Sequence, residues 1–133
     1  MFKDGETEPG QRSPQVLAYL GDAVYELYIR TKLVEHHSFP VQQLHQKAVK
    51  YVQAAAQAQI VHSWEPFLTQ EEKDVVRRGR NIKGGVPRGG DTLDYRYSTG
   101  FEALLGHLYL SGQGPRLKEL LGMIQPAGEQ QEE

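Results

Sequence analysis

A chain of 133 residues with a formal net charge of −2 is long enough for one domain with its own hydrophobic core and too short for two. It contains no cysteine, which excludes a disulfide framework, a thiolate metal site and a cysteine nucleophile. No stretch approaches the roughly 20 apolar residues that span a bilayer, and the polar start of the chain does not resemble a signal peptide. We therefore expect a soluble, cytoplasmic protein without a membrane partner.

Apolar residues recur along the chain with the period of a helix rather than that of a strand, so we predict an all-α fold. Residues 1–12 and 126–133 are polar and unpatterned, and we expect both to be flexible tails. The sequence predicts a single domain over residues 13–125.

The first half of this domain predicts two helices. Ser13 and Pro14 are a typical N-cap and first helical residue, and the first helix is expected to run to about His36. A turn follows at 38–40. The second helix is predicted to carry one apolar stripe that runs without a break from Val41 to Ala55.

The second half begins with a predicted capping box between Thr69 and Glu72, which opens a third helix that ends near Gly79. The remaining predicted elements are a long loop near 80–97, a fourth helix capped by Ser98 that ends near Leu110, and a short fifth helix at 115–124.

Residues 76–90 form a basic, glycine-rich segment. It holds five basic residues and no acidic one, whereas the rest of the chain carries a charge of −7. Such a local concentration of charge is typical of a surface that binds nucleic-acid phosphates. The alternative for the first two residues is a favourable interaction with the C-terminal dipole of the third helix. The five candidate RNA-binding residues are Arg77, Arg78, Arg80, Lys83 and Arg88.

The first helix is apolar on nearly every side, which predicts that it is buried. Its core face is expected to comprise Leu17, Leu20, Val24, Leu27 and Tyr28. Asp22 lies opposite that face, with the small residue Ala18 one turn before it. A carboxylate on a buried helix is costly unless it is paired or binds a metal.

The fourth helix repeats this arrangement, since Glu102 lies beside its apolar face with the small residue Gly106 one turn later. Two such carboxylates could share Mg²⁺, which prefers oxygen ligands and keeps several of its waters. The alternatives are that Asp22 and Glu102 are exposed, or that each pairs with an arginine.

Two segments carry a family resemblance. Leu17–Glu26 resembles the signature helix of the ribonuclease III catalytic domain, and Tyr95–Gly106 resembles its second active-site helix. The resemblance covers about Pro14 to Leu121, including the basic residues of 77–83, and is best to the Mini-ribonuclease III branch, which has the catalytic domain alone. It implies an all-helical homodimer whose two active sites line a valley for double-stranded RNA.

The resemblance further implies Mg²⁺-dependent hydrolysis of phosphodiester bonds, with Asp22 and Glu102 as the metal-binding, catalytic acids. It suggests maturation of the 23S ribosomal RNA precursor, with a ribosomal protein as a helper. Full-length ribonuclease III has further acids where this chain has Ala18 and Thr99, so a second metal ion is in doubt. Glu26 is either an acid that supports the first metal or a salt-bridged glutamate.

A non-catalytic module that binds double-stranded RNA or the ribosome is the alternative function. Inactive relatives would be expected to lose one of the two acids. Because the chain keeps both Asp22 and Glu102, the sequence favours an enzyme.

Overall fold

The computed structural model describes residues 12–82 and 92–124. These residues confirm the all-α prediction, since they form helices joined by short connections and contain no strand. The predicted tails, apart from Arg12, and residues 83–91 lie outside the described residues. The helices are α1 (Pro14–His36), α2 (Val41–Val52), α3 (Ala54–Trp64), a 3-10 turn (Glu65–Phe67), α4 (Gln70–Arg80), α5 (Thr92–Leu110) and α6 (Gly114–Leu121).

Helix α1 begins as predicted, with the Ser13 hydroxyl accepting a hydrogen bond from the Val16 backbone N–H at 3.2 Å. The predicted core face is wrong, because Leu27 is exposed and three other members of that face are only half-buried. The buried stripe follows a spacing of about four residues on the neighbouring side of the helix. It comprises Leu17, Ala18, Gly21, Tyr25, Ile29 and Leu33.

The predicted second helix is two helices, α2 and α3, separated at Gln53, whose backbone is extended (φ −67°, ψ 147°). Side chains satisfy the carbonyl groups at this break. The Tyr25 hydroxyl donates to the Tyr51 carbonyl at 3.1 Å, and the Gln57 amide donates to the Val52 carbonyl at 3.3 Å. These side-chain bonds take the place of two helical bonds, so the helix breaks at Gln53 although the apolar stripe predicted a continuous helix.

The predicted capping box of α4 is confirmed, since the Thr69 hydroxyl accepts from the Glu72 backbone N–H at 3.1 Å and Glu72 accepts from the Thr69 backbone N–H at 2.8 Å. The same buried carboxylate accepts two bonds of 2.8 Å from Arg116 on α6. These bonds hold the pKa of Glu72 below its usual range and fasten α6 to the start of α4.

Helix α5 begins at Thr92, so the prediction of a long loop through 97 with Ser98 as an N-cap is wrong. Ser98 is buried inside the helix and its hydroxyl donates to the Tyr95 carbonyl at 2.7 Å, a bond that a serine in mid-helix can make. Helix α5 is the centre of the domain, with α1, α3, α4 and α6 packed around it.

Glycines let three helices meet at backbone distance. Gly21 and Gly106 face each other where α1 crosses α5, and a Cβ at either position would overlap main-chain atoms of the other helix. Gly79 and Gly100 have the same role between α4 and α5. Gly106 is therefore small because α1 approaches it, and not because Glu102 needs space, as its position in the sequence suggested.

Candidate active site

Asp22 and Glu102, 80 positions apart in the sequence, lie beside each other where α1 crosses α5. Asp22 follows Gly21, and Gly21 lies against the main chain of Glu102 itself. The Asp22 side chain is exposed and the Glu102 side chain is half-buried. The backbone crossing therefore brings the two predicted acids together, as a shared cation site requires.

The environment of Glu102 disfavours its ionised form. Burial, then the negative charge of Asp22 and a hydrogen bond with it, raise the pKa of Glu102 to about 8. The negative charge of Glu26 raises the pKa of Glu102 further, by a smaller amount. The Gln57 amide donates a hydrogen bond to Glu102 and lowers this pKa. Near neutral pH the pair therefore retains one proton, and a cation between the two acids would take the place of that proton.

A cleft of about 470 Å³ opens over this pair. It lies between α1, α3, α4 and α5, and Ala18 and Thr99 are on its wall. These are the two positions at which ribonuclease III would have further acids. In the part of the chain that the structure describes, no group of three or more histidine or acidic side chains is placed to hold a metal. The polar side chains that line the cleft include Gln15, Asp22, Gln57, Arg80, Arg96 and Glu102.

Of the five predicted RNA-binding residues, Arg80 is the one that the structure places in the cleft. Arg77 pairs with Asp74 at 3.5 Å, and Arg78 donates to the Arg12 carbonyl at 3.5 Å. Both arginines are in the last turn of α4. Lys83 and Arg88 lie outside the described residues.

A chain of contacts behind Arg80 holds its guanidinium. Its Nη1 donates to the Tyr97 hydroxyl at 3.1 Å, and its guanidinium lies 5.5 Å from the centre of the Tyr97 ring. The same ring also contacts His62 on α3, with centroids 4.2 Å apart. Arg80 is therefore held against α5 through Tyr97, which itself packs on α3, and Arg80 lines the cleft.

Two cleft residues have no counterpart in the sequence-based prediction. Arg96 was overlooked because it lies within the stretch 80–97 that was predicted to be a loop, whereas it is on α5 and lines the same cleft as Glu102. Gln57 was overlooked because a glutamine on an alanine-rich helix resembles a solvent-facing residue, yet it is only 2% exposed. Glu26 accepts from Arg30 at 3.4 Å, so it is salt-bridged and still close enough to influence Glu102.

An all-α domain with a carboxylate pair at a glycine-mediated helix crossing agrees with the resemblance of the sequence to the ribonuclease III catalytic domain. The sequence model of the family described as Ribonuclease III domain matches residues 15–113. A solved crystal structure, that of protein FN1578 from Fusobacterium nucleatum, superposes with a TM-score of 0.79 at 29% identity and covers 85% of this chain and 91% of that one.

Curated relatives narrow the class. Mini-ribonuclease 3 of Thermoanaerobacter sp. is 57% identical over 82% of this chain and 78% of its own length. Mini-ribonuclease 3 of Symbiobacterium thermophilum is 56% identical over 81% and 84%, and that of Brevibacillus brevis is 44% identical over 86% of both chains. The chain therefore belongs to the Mini-ribonuclease III branch of the ribonuclease III family, as its two motifs predicted.

Proposed function

We propose that this protein is a Mg²⁺-dependent endoribonuclease that hydrolyses phosphodiester bonds in double-stranded RNA. One observation carries the proposal. Asp22 and Glu102 form a carboxylate pair on the wall of a cleft that also carries Arg80 and Arg96. Acidic oxygens for a cation beside arginines for phosphates are the two components that metal-assisted phosphodiester hydrolysis needs.

The donor set fits magnesium. Both candidate ligands are carboxylates, and the open cleft leaves room for the waters that this ion keeps. Asp22 and Glu102 would hold the ion, and Glu102 would give up its proton on binding it. When bound, Mg²⁺ supplies a water of lowered pKa and offsets the negative charge that develops on the phosphate.

The chain's own side chains position the substrate. Arg80 and Arg96 line the same cleft as the acids, so phosphate oxygens of one strand would bind to the guanidinium groups with the scissile bond near Asp22 and Glu102. Duplex RNA is recognised mostly through its shape, phosphates and 2′-hydroxyls, which suits arginines on a rigid wall. Arg77, Arg78, Lys83 and Arg88 would extend this contact along the duplex.

A homodimer is the form in which we propose that the enzyme acts, and a second apolar stripe of α1 supports this. Val16, Tyr19, Ala23, Leu27 and Val34 are all exposed and lie on the helix side opposite the buried stripe. Tyr19 is 85% exposed and borders the cleft. A two-fold contact along this stripe would cover it and place two sites beside one duplex, one for each strand.

The substrate we propose is the 23S ribosomal RNA precursor, processed in the cytoplasm with a ribosomal protein as a helper. This part of the proposal rests on the family resemblance rather than on a particular side chain. Among the described residues no helix is long and apolar enough to cross a membrane.

Cleavage of an end-labelled RNA duplex by the purified protein, with Mg²⁺ or with EDTA, tests the central proposal. We expect Asp22→Asn and Glu102→Gln to remain folded and to reduce the rate roughly 10³-fold if the metal step supplies about 4 kcal/mol. Glu35→Gln, an exposed glutamate near the end of α1, serves as the control and should cleave normally.

Near-normal turnover by either folded variant would contradict the metal assignment. Tight duplex binding by the wild-type protein without any cleavage in Mg²⁺ would instead support a non-catalytic RNA-binding module.

A further inference from the structure

Gln57 is an uncharged polar residue in the cleft that holds Asp22 and Glu102. It lies near the start of α3, is 2% exposed, and faces the cleft beside Glu102. Burial of an amide destabilises a protein if its hydrogen-bonding groups are unsatisfied. A glutamine at this position therefore needs defined partners.

The structure gives the Gln57 amide two partners. Its Nε2 donates to the Val52 carbonyl at the end of α2, at 3.3 Å. The same amide donates to the carboxylate of Glu102. An amide nitrogen has two hydrogens in a fixed plane, so one group can make both bonds at once and couple the direction of the Glu102 side chain to the α2–α3 break.

The bond to Val52 serves the helix break, whereas the bond to Glu102 is made on the wall of the cleft that both residues line. When both acids are charged they repel each other, which favours a Glu102 side chain turned away from Asp22. The Gln57 amide can only donate to a carboxylate, and it draws Glu102 into one orientation without adding a charge.

We propose that Gln57 is a positioning residue, which holds the Glu102 carboxylate beside Asp22 so that both acids bind one divalent cation. This inference rests on the proposed function, since it requires that the two acids bind a cation. It predicts that Gln57 acts on cation affinity without touching RNA.

The test uses the full-length protein without RNA and measures Mn²⁺ binding by water-proton relaxation, then Mg²⁺ by competition. Replacing Gln57 by methionine keeps the length of the side chain and removes both donors. We expect Gln57→Met to weaken cation binding about tenfold, the loss typical when a group that orients a metal ligand is removed. Gln59→Met, on the same helix but exposed, is the matched control and should bind as the wild type does.

Cleavage assays provide a second measurement. The Mg²⁺ concentration for half-maximal rate should rise by the same factor in Gln57→Met, while the rate at saturating Mg²⁺ returns to within about threefold of the wild type. A merely structural role at the helix break would lower the melting temperature and leave cation affinity unchanged, and that result would overturn the inference.

A third measurement needs no variant. In the wild-type protein, the side-chain amide resonances of Gln57 should shift during a Mg²⁺ titration with the affinity found by relaxation, while those of Gln59 stay in place. Stationary Gln57 resonances with clear cation binding would contradict the inference. If the wild-type protein binds no cation at all, the proposed cation site itself fails.

Discussion

Gly21 on α1 lies directly against the main-chain carbonyl of Glu102 on α5, and a Cβ added to Gly21 would overlap that oxygen. Because Asp22 is the next residue, this contact sets how closely the main chains of the two acids approach each other. The backbones thus bring the pair together, and the side chains around it then orient the carboxyl groups.

Gly21→Ala should lower the free energy of unfolding by about 1–3 kcal/mol or more, the usual cost of overpacking a core, because α1 and α5 must move apart. The variant should also lose cation binding. Gly114→Ala is the control. It adds a methyl group in open space on α6 and should be neutral or slightly stabilising, since alanine favours helix over glycine by about 1 kcal/mol. Urea denaturation compares them, and equal stability of both variants would mean that the crossing is looser than described.

Glu102 makes the stability of the metal-free protein depend on pH. Its pKa in the folded protein is about 8, against about 4.3 in an unfolded chain. Between these values the folded state retains a proton that the unfolded state releases, so stability falls as pH rises through this window. Glu102→Gln should therefore be more stable than the wild type at pH 8.5, by about 2 kcal/mol or more, with the difference vanishing near pH 4.

Thermal melts in EDTA between pH 4 and 9 measure this difference. Adding Mg²⁺ at pH 8 should raise the melting temperature of the wild-type protein more than that of Glu102→Gln, because ligand binding to the folded state stabilises it. If the melting temperatures of the two proteins change in parallel from pH 4 to 9, the pKa of Glu102 is not raised in the folded protein.

Tyr97→Phe removes the hydroxyl that accepts from Arg80 and keeps the ring between Arg80 and His62. We expect duplex binding to weaken about 3- to 10-fold, because the guanidinium loses one of the groups that orient it. The slope of log affinity against log salt should stay as in the wild type, whereas Arg80→Ala should flatten it by roughly one unit. Wild-type affinity in Tyr97→Phe would mean that the bond does not orient Arg80.

Lys83 and Arg88 distinguish RNA binding from a structural role of the basic segment. Replacing both with alanine should flatten the same salt slope by roughly 2 units if each contacts one phosphate. Thermal stability should barely change, because both residues follow the end of α4. Ca²⁺ in place of Mg²⁺ would allow equilibrium binding without cleavage, and an unchanged slope would remove these residues from the RNA-binding surface.

The exposed stripe of α1 predicts the effect of a single charge on assembly. If the protein dimerises through this stripe, Leu27→Arg should yield a monomer with little loss of cation binding, because the change would bury a charge at the proposed interface and leave the cleft intact. Phe67→Arg, an apolar residue 60% exposed outside the stripe, should remain dimeric. Light scattering measures the mass, and a stable, active wild-type monomer would contradict the dimer proposal.

Local sequence patterns predicted the helices whose ends are determined by local bonds. The Ser13 cap and the Thr69–Glu72 box lie within a few residues of the groups they satisfy, so both were predictable. The break at Gln53 was not, because the Tyr25 hydroxyl that supports it comes from another helix, 26 positions away. Ser98 has the side chain of a cap, but burial and a bond within α5 determine its place.

In the candidate site, too, the features that depend on one helix could be predicted and those that depend on two helices could not. Asp22 and Glu102 could be selected from the sequence because each is a carboxylate on an apolar helix. Their proximity could not, because it depends on Gly21, whose role is visible only when the opposite helix is present. Gln57 carries no charge and belongs to no motif, and its partner in the cleft, Glu102, is on another helix, α5. Its role could therefore not be predicted from the sequence.

The central position of α5 also has a consequence for how the protein is made. Asp22 is synthesised 80 residues before Glu102, which at about 5–20 residues per second is an interval of roughly 4–16 s. Throughout that interval α1, α3 and α4 lack the central helix against which they pack. The nascent chain therefore acquires its core and its acidic pair in the same late event, and no earlier fragment can bring the two acids together.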